Sequence, residues 1–173
     1  MSGWRRRLSS IVAAFIAVVV LSGCASMGRT STLTQRFDPA AAAFINTEGH
    51  ASISGQAFVR QTNGKLLRAV GTDTFLIPRT AYSEERIAAL YGDGNQLKWG
   101  VRMPGAEPMF ERYMRKTVAS SGGSFRFDRV ADGRYYVVAM IFLPGEYVAA
   151  EFPILQRVTV EGGRSVRVVM RGY

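Results

Sequence analysis

Beyond residue 50 the chain alternates apolar and polar positions with a period of two, the pattern of strands that bury one face. In the first such run Ala51, Ile53, Gly55, Ala57 and Val59 face one way, and Ser52, Ser54, Gln56 and Arg60 face the other. The densest run lies between Gly122 and Phe142. There Gly122-Gly123 predicts a turn, and Phe125 and Phe127 alternate with Arg126 and Asp128. Ala131-Asp132-Gly133 then predicts a reversal into a second strand. On that strand Tyr135, Val137, Ala139 and Ile141 share one face, and Tyr136, Val138, Met140 and Phe142 the other. Apolar residues on both faces predict a central strand covered on both sides. The β-branched and aromatic residues of this run, bracketed by Gly and Pro, favour a strand over a helix. The expectation is a β-hairpin at the centre of a sandwich.

The remaining pattern adds further short elements. Thr62-Asn63-Gly64-Lys65 reads as a turn, with Asn and Gly where positive φ is needed, and Leu66 to Ile77 as a second extended stretch ending at Pro78. Tyr113 to Ala119 reads as a strand, and Tyr147 to Ile154 as an extended stretch broken by Pro153. Val158 and Val160, the turn Glu161-Gly162-Gly163, and Val166, Val168 and Met170 predict a closing hairpin with Arg167 and Arg171 toward solvent. About seven short strands at this spacing argue for an all-β fold of two packed antiparallel sheets. Two helical stretches accompany them. Asp38 caps a short helix starting at Pro39 and ending near Asn46. Ser83 caps a second one, with Glu84 and Glu85 at its positive end, Ile87, Leu90 and Tyr91 on one face and Gly92 as the stop. This helix is expected to cover a sheet face. Asp93 to Pro108 is a loop, in which Leu97, Trp99 and Val101 suit a short strand.

Composition changes the picture at the N-terminus. With 173 residues, 47% of them hydrophobic, the chain can bury a substantial core. The long apolar run Ile11 to Leu21 follows Arg5-Arg6-Arg7 and has about half of the roughly 20 residues that a membrane-spanning helix needs. It reads as a signal peptide, and its end, Leu21-Ser22-Gly23-Cys24, resembles the lipobox of bacterial lipoproteins. The resemblance implies cleavage before Cys24 and acylation of its sulfur and new amino terminus. Each buried methylene contributes about 0.8 kcal/mol, so two or more acyl chains hold stably to a lipid bilayer. Ala25 rather than aspartate after the cysteine is similar to the sorting signal for the outer membrane, which places the domain on its periplasmic face, with the inner membrane as the alternative. The chain then divides into a signal peptide over 1–23, a lipidated tether with a short helix over 24–50, and a sandwich over 51–173.

A second resemblance covers roughly Ala51 to Arg171. Its carriers are Gly55, Thr74-Phe75-Leu76-Ile77-Pro78, Gly123-Ser124-Phe125-Arg126-Phe127 with Gly133-Arg134-Tyr135, and Val160-Glu161-Gly162-Gly163. These look like the carboxypeptidase regulatory-like, or transthyretin-like, β-sandwich, a seven-stranded antiparallel fold. Such motifs specify turns and core, so they bear on fold more than on function. The resemblance implies a noncatalytic stabilising, adhesive or ligand-binding module. Some related surface domains carry a lysine-to-asparagine crosslink. Here the lysines are Lys65, Lys98 and Lys116 and the last strand has neither asparagine nor aspartate, so none is expected. The stretch Ser83 to Pro108 departs from a minimal sandwich and is where a particular function would reside.

The inventory of chemical groups is sparse. Cys24 is the sole cysteine, which excludes an internal disulfide and a thiolate metal site. His50, the single histidine, lies just before the first strand and reads as a solvated residue. Zinc would be left with scattered carboxylates, a poor match to its ligand preference, and no metal or other cofactor is expected. Asp93-Gly94-Asn95 suits a turn better than a calcium loop, whose terminal glutamate is absent. Removing residues 1–23 leaves 19 basic against 13 acidic side chains. The basic residues are mostly arginines spread along the domain, which suits a solvated surface or weak attraction to anionic head groups or wall polymers, and argues against a nucleic-acid partner. Lys98, Trp99 and Arg102, with Tyr91 and Tyr113 nearby in sequence, are the candidate ligand-binding residues; aromatics at such spacing also serve as core. The leading reading is therefore a membrane-anchored, noncatalytic binding or scaffolding module with an envelope protein or cell-wall glycan as partner. Its rivals are a carbohydrate-binding module using Trp99 and, further off, a hydrolase.

Overall fold

In the computed structural model, which describes residues 32–98, 100–101, 105–143 and 150–172, eight strands form two four-stranded sheets packed face to face. At the centre of the first sheet lies β1 (Glu48–Arg60). One edge of β1 pairs antiparallel with β5 (Ser124–Val130) over its first part and with β2 (Leu66–Arg68) over its last residues. The other edge takes β8 (Val166–Gly172) in parallel register, from Ile53 opposite Val166 to Val59 opposite Gly172. The second sheet runs β4 (Arg115–Val118), β3 (Asp73–Pro78), β6 (Gly133–Leu143), β7 (Ala150–Val160), antiparallel throughout. An all-β sandwich is thus what the alternation predicted, with eight strands rather than seven.

The connectivity differs from the expectation. Residues 122–142 are not a hairpin, because β5 pairs with β1 while β6 pairs with β3 and β7. The closing pair is not a hairpin either, because β8 leaves β7 and joins β1. Nor is Leu66 to Ile77 one stretch; β2 belongs to the first sheet and β3 to the second, with Gly71 at φ 67° between them. In each case the turn carries the chain across the sandwich, since apolar faces on consecutive strands can be buried against each other only when the strands lie in opposing sheets. Two of these crossings are tied together. The Asp132 carboxylate in the β5–β6 turn accepts from the amides of Gly162 (2.7 Å) and Gly163 (2.8 Å), whose φ values of 60° and 66° aim both N–H groups at it.

Between the sheets lie Ile53, Leu76, Phe125, Phe127, Tyr135, Val137, Ile141, Ile154 and Met170, all buried. The other face of β6 carries Tyr136 and Val138, which are also buried, in a second core with Ile77 and Leu155. That core is covered by α2 (Ala81–Tyr91) and α3 (Pro108–Arg112), while α1 (Pro39–Ala42), capped by Asp38 on the Ala40 amide, continues as a 3₁₀ turn over Ala43–Asn46. Phe142, the last of this face, stands beyond the cover and is half exposed. The cap of α2 is Thr80, not Ser83. Ser83 is the third helical residue of a capping box, its hydroxyl accepting from the Thr80 amide at 2.8 Å. The strand expected over Tyr113 to Ala119 is present as the shorter β4, directly after α3.

Two smaller expectations also change. His50 lies inside β1 rather than ahead of it, though it is exposed as expected. Pro153 does not break β7; it stands opposite Met140 in an unbroken ladder. Two residues on, Leu155 sends its N–H outward to the Asn95 carbonyl (2.8 Å), so the nitrogen of Pro153 also points away from β6, where no ladder bond is lost.

The face assignment has a measurable consequence. Phe125→Ala is expected to lower the unfolding free energy in urea by about 3 kcal/mol, whereas the exposed neighbour Arg126→Ala should change it by less than about 0.5 kcal/mol. Equal losses would invert the assignment of β5.

Candidate functional site

The loop after α2 is held to the sandwich by its backbone. Gly92 ends α2 at φ 60°, and a side chain there would meet Lys98 Cε at 2.8 Å, so glycine serves both the turn and the close approach. The Arg157 guanidinium on β7 then donates to the carbonyls of Gly92 (2.9 Å), Gly94 (3.1 Å) and Asp93 (3.4 Å). Beyond it, Leu155 N–H donates to the Asn95 carbonyl, the Asn95 side-chain amide donates to the Arg171 carbonyl at 2.8 Å, and Lys98 N–H donates to the Leu90 carbonyl at 2.8 Å. One arginine and one asparagine therefore satisfy a glycine-rich loop that has little apolar surface of its own to bury.

Between this loop and the ends of β6 and β7 opens a groove of about 470 Å³. It is lined by Val59, Leu97, Lys98, Val101, Leu143 and Phe152 among others, with Gln96 and Glu151 adding polar groups. Lys98, the predicted ligand-binding residue that can be placed, is exposed at its margin. Trp99 and Arg102 lie outside the described residues, as does Cys24, the expected lipidation residue. The short strand expected around Leu97 is absent among the described residues; Gln96 makes an isolated bridge to Ile154 instead. Tyr91 and Tyr113, the tyrosines near Trp99 in sequence, pack with the second core. Tyr91 is buried, which pushes its hydroxyl up to about 12 and keeps it neutral. Tyr113 packs its ring 5.3 Å from that of Phe37.

A second groove, of about 630 Å³, separates α2 and α3 from the sheet beneath them. Phe75, Ile77, Val138 and Met140 line it from the sheet, with Arg86, Glu111 and Lys116 as its charged residues. Arg86 lies over the rings of Tyr82 (5.7 Å) and Phe110 (6.0 Å). Among the described residues no three histidine, cysteine, aspartate or glutamate side chains come together at metal-binding range, and no helix is long and apolar enough to cross a membrane.

Sequence reasoning missed the seat of the N-terminal segment. Glu85, read as a partner of the helix dipole alone, accepts from Thr34 N–H (2.9 Å), the Thr34 hydroxyl (2.8 Å) and Gln35 N–H (2.8 Å). Phe37 follows and enters the ring cluster of Tyr82, Phe110 and Tyr113. Some 50 residues separate Glu85 from these partners, and no local spacing signals such a contact.

The chain matches no protein-family model and no curated protein. Its fold is similar to that of a crystal structure from Pseudomonas aeruginosa, described as a proposed carbohydrate binding protein. The match has a TM-score of 0.63 and 21% identity, and covers 79% of this chain and 98% of that one.

The latch on Glu85 predicts a titration. The Gln35 amide, then the Thr34 amide and hydroxyl, hold the carboxyl below the ordinary carboxylate range. A folded-state value below the unfolded one means that the contribution is complete above the ordinary range and is lost as pH falls through the lowered value. Carbon-13 NMR of the Glu85 carboxyl should give a lower midpoint in the folded chain than in the urea-unfolded chain. Equal midpoints would remove the latch.

Proposed function

We propose that the chain is a noncatalytic binding module of the bacterial cell envelope, anchored through acylated Cys24 and carrying a transthyretin-like sandwich whose ligand is a glycan. The observation that carries this reading is the groove beside the backbone-anchored loop Gly92 to Lys98, a concave seat built before any ligand arrives. Its apolar side chains offer surface to the C–H face of a sugar ring, and Lys98, Gln96 and Glu151 offer polar partners at the margin. Trp99 follows Lys98 directly in the chain and supplies the aromatic surface that such rings stack upon. The description of the similar solved structure as a proposed carbohydrate binding protein supports the choice of glycan over envelope protein. The lipobox-like Leu21 to Cys24 and the signal peptide before it support the anchor, and Ala25 supports the periplasmic face of the outer membrane.

Two measurements test the halves of this reading. Purified full-length chain in detergent, incubated with isolated wall sacculi, should lose about tenfold in affinity, roughly 1.4 kcal/mol, in a Lys98→Ala, Trp99→Ala, Arg102→Ala triple variant. Unchanged binding would move the seat away from the loop. In cells, Cys24→Ser should abolish labelling by a palmitate analogue; label retained on that variant would refute the anchor.

A further inference from the structure

The outer face of the first sheet bears no helix among the described residues, and its charge is one-sided. The registers place side chains in rows across three strands. Ser54 on β1 stands between Arg126 on β5 and Arg167 on β8. Four residues along β1, a distance of about 13 Å at the usual strand rise, Phe58 stands between Arg68 on β2 and Arg171 on β8. Arg60 extends the same face at the end of β1. All five arginines are exposed. Asp128 is the acid beside these rows, and it pairs with Arg126 at 2.6 Å. Among the described residues no carboxylate forms an ion pair with Arg60, Arg68, Arg167 or Arg171, while Glu48 at the start of β1 is engaged with Arg129.

Mutual repulsion makes such an array unfavourable without a counter-charge, and although Arg171 lies over the Phe58 ring at 6.0 Å, serine or threonine would serve the other solvent-facing positions of these strands equally well. Guanidinium groups also differ from ammonium groups in presenting planar forks that match carboxylates and phosphates in two-point contacts. A groove of about 440 Å³ lined by Arg126 and Arg167 runs from this face to the sandwich edge, with Ser54 and Ser124 from the first sheet and Thr117 and Ser120 from β4 and the loop after it in its lining. Charge alone would suit any anionic surface; hydroxyl groups beside the cations add directional donors and acceptors for a polyhydroxyl chain. The N-terminal segment seats on Glu85 of α2, over the opposite sheet, which turns the basic face away from the side where a tether joins the domain.

We infer that this open arginine face binds an acidic polysaccharide, with Arg126 and Arg167 engaging its carboxylate or phosphate groups while the hydroxyls of the adjoining groove engage the sugar. The surface is distinct from the groove beside Lys98, so this inference and the loop-based reading can fail separately.

Affinity electrophoresis of the full-length chain in nonionic detergent tests it, with polygalacturonate as the probe and its fully methyl-esterified form as the uncharged comparison. Polygalacturonate should retard the wild type, less so with added salt, and the ester should not. An Arg126→Gln, Arg167→Gln, Arg171→Gln variant should bind about tenfold or more weakly, whereas Arg112→Gln on α3, an exposed arginine over the other sheet, should bind as the wild type does. Arg167→Lys should restore less than the full affinity, because it keeps charge but not the fork. The thermal midpoint of each variant confirms folding. Equal retardation by the esterified polymer, or an undiminished triple variant, overturns the inference. Retardation relieved more readily by phosphatidylglycerol mixed micelles than by free galacturonate oligomers also overturns it, and assigns the face to lipid head groups.

Discussion

The structure depends on β6 being buried on both faces. Its odd residues, Tyr135, Val137, Ala139 and Ile141, enter the core between the sheets, while Tyr136 and Val138 enter a second core on the outside. A strand of this kind needs an opposing sheet on one side and a separate cover on the other. The opposing sheet is β1 with its neighbours. The cover is α2 and α3, completed by Phe37, whose ring lies within 5.8 Å of Tyr82 and 5.7 Å of Phe110. The chain ahead of β1 thereby becomes part of the domain's outer layer.

This asymmetry distributes the grooves and open faces. Covering one sheet with helices requires chain to enter and leave that layer, and the exit from α2 produces the glycine-rich loop that lies along β7. Its carbonyls would face the edge of a sheet with few partners were it not for Arg157, which also lies over the Tyr136 ring at 5.9 Å and so links loop, sheet and second core. The groove beside Lys98 follows from this anchoring, with walls contributed by β1, β6 and β7. The other sheet, needing no cover, keeps an open outer face on which register sets the spacing of the arginines.

The crossings between sheets are secured by few polar groups. The Asp132 carboxylate holds the Gly162-Gly163 turn, the Tyr135 hydroxyl donates to the Ala131 carbonyl at 2.8 Å, and the Arg115 guanidinium donates to the carbonyls of Asp128 and Arg129 across the sandwich edge. The first two satisfy backbone groups in turns where the ladder stops, and Arg115 does so beside the register shift of β5 against β1.

The period-two pattern determined by itself that the fold is an all-β sandwich. It also determined which residues of β1, β5 and β6 face inward, that β6 is covered twice, and that a helix ends at Gly92, because these follow from side-chain alternation and from local capping chemistry. Pairing was decided by the tertiary structure. Adjacent strands with a good turn between them satisfy local rules equally well as a hairpin or as a crossing, and only the need to bury the apolar faces of β5 and β6 in one core selects the crossing. For the same reason the parallel seam of β1 and β8, the first and last strands, leaves no mark in local spacing. The seat of Thr34 and Gln35 on Glu85, the burial of Tyr91 in the second core, and the alignment of Arg126 and Arg167 on either side of Ser54 are contacts between residues far apart in the chain. Each exists because strand register and helix placement bring them together.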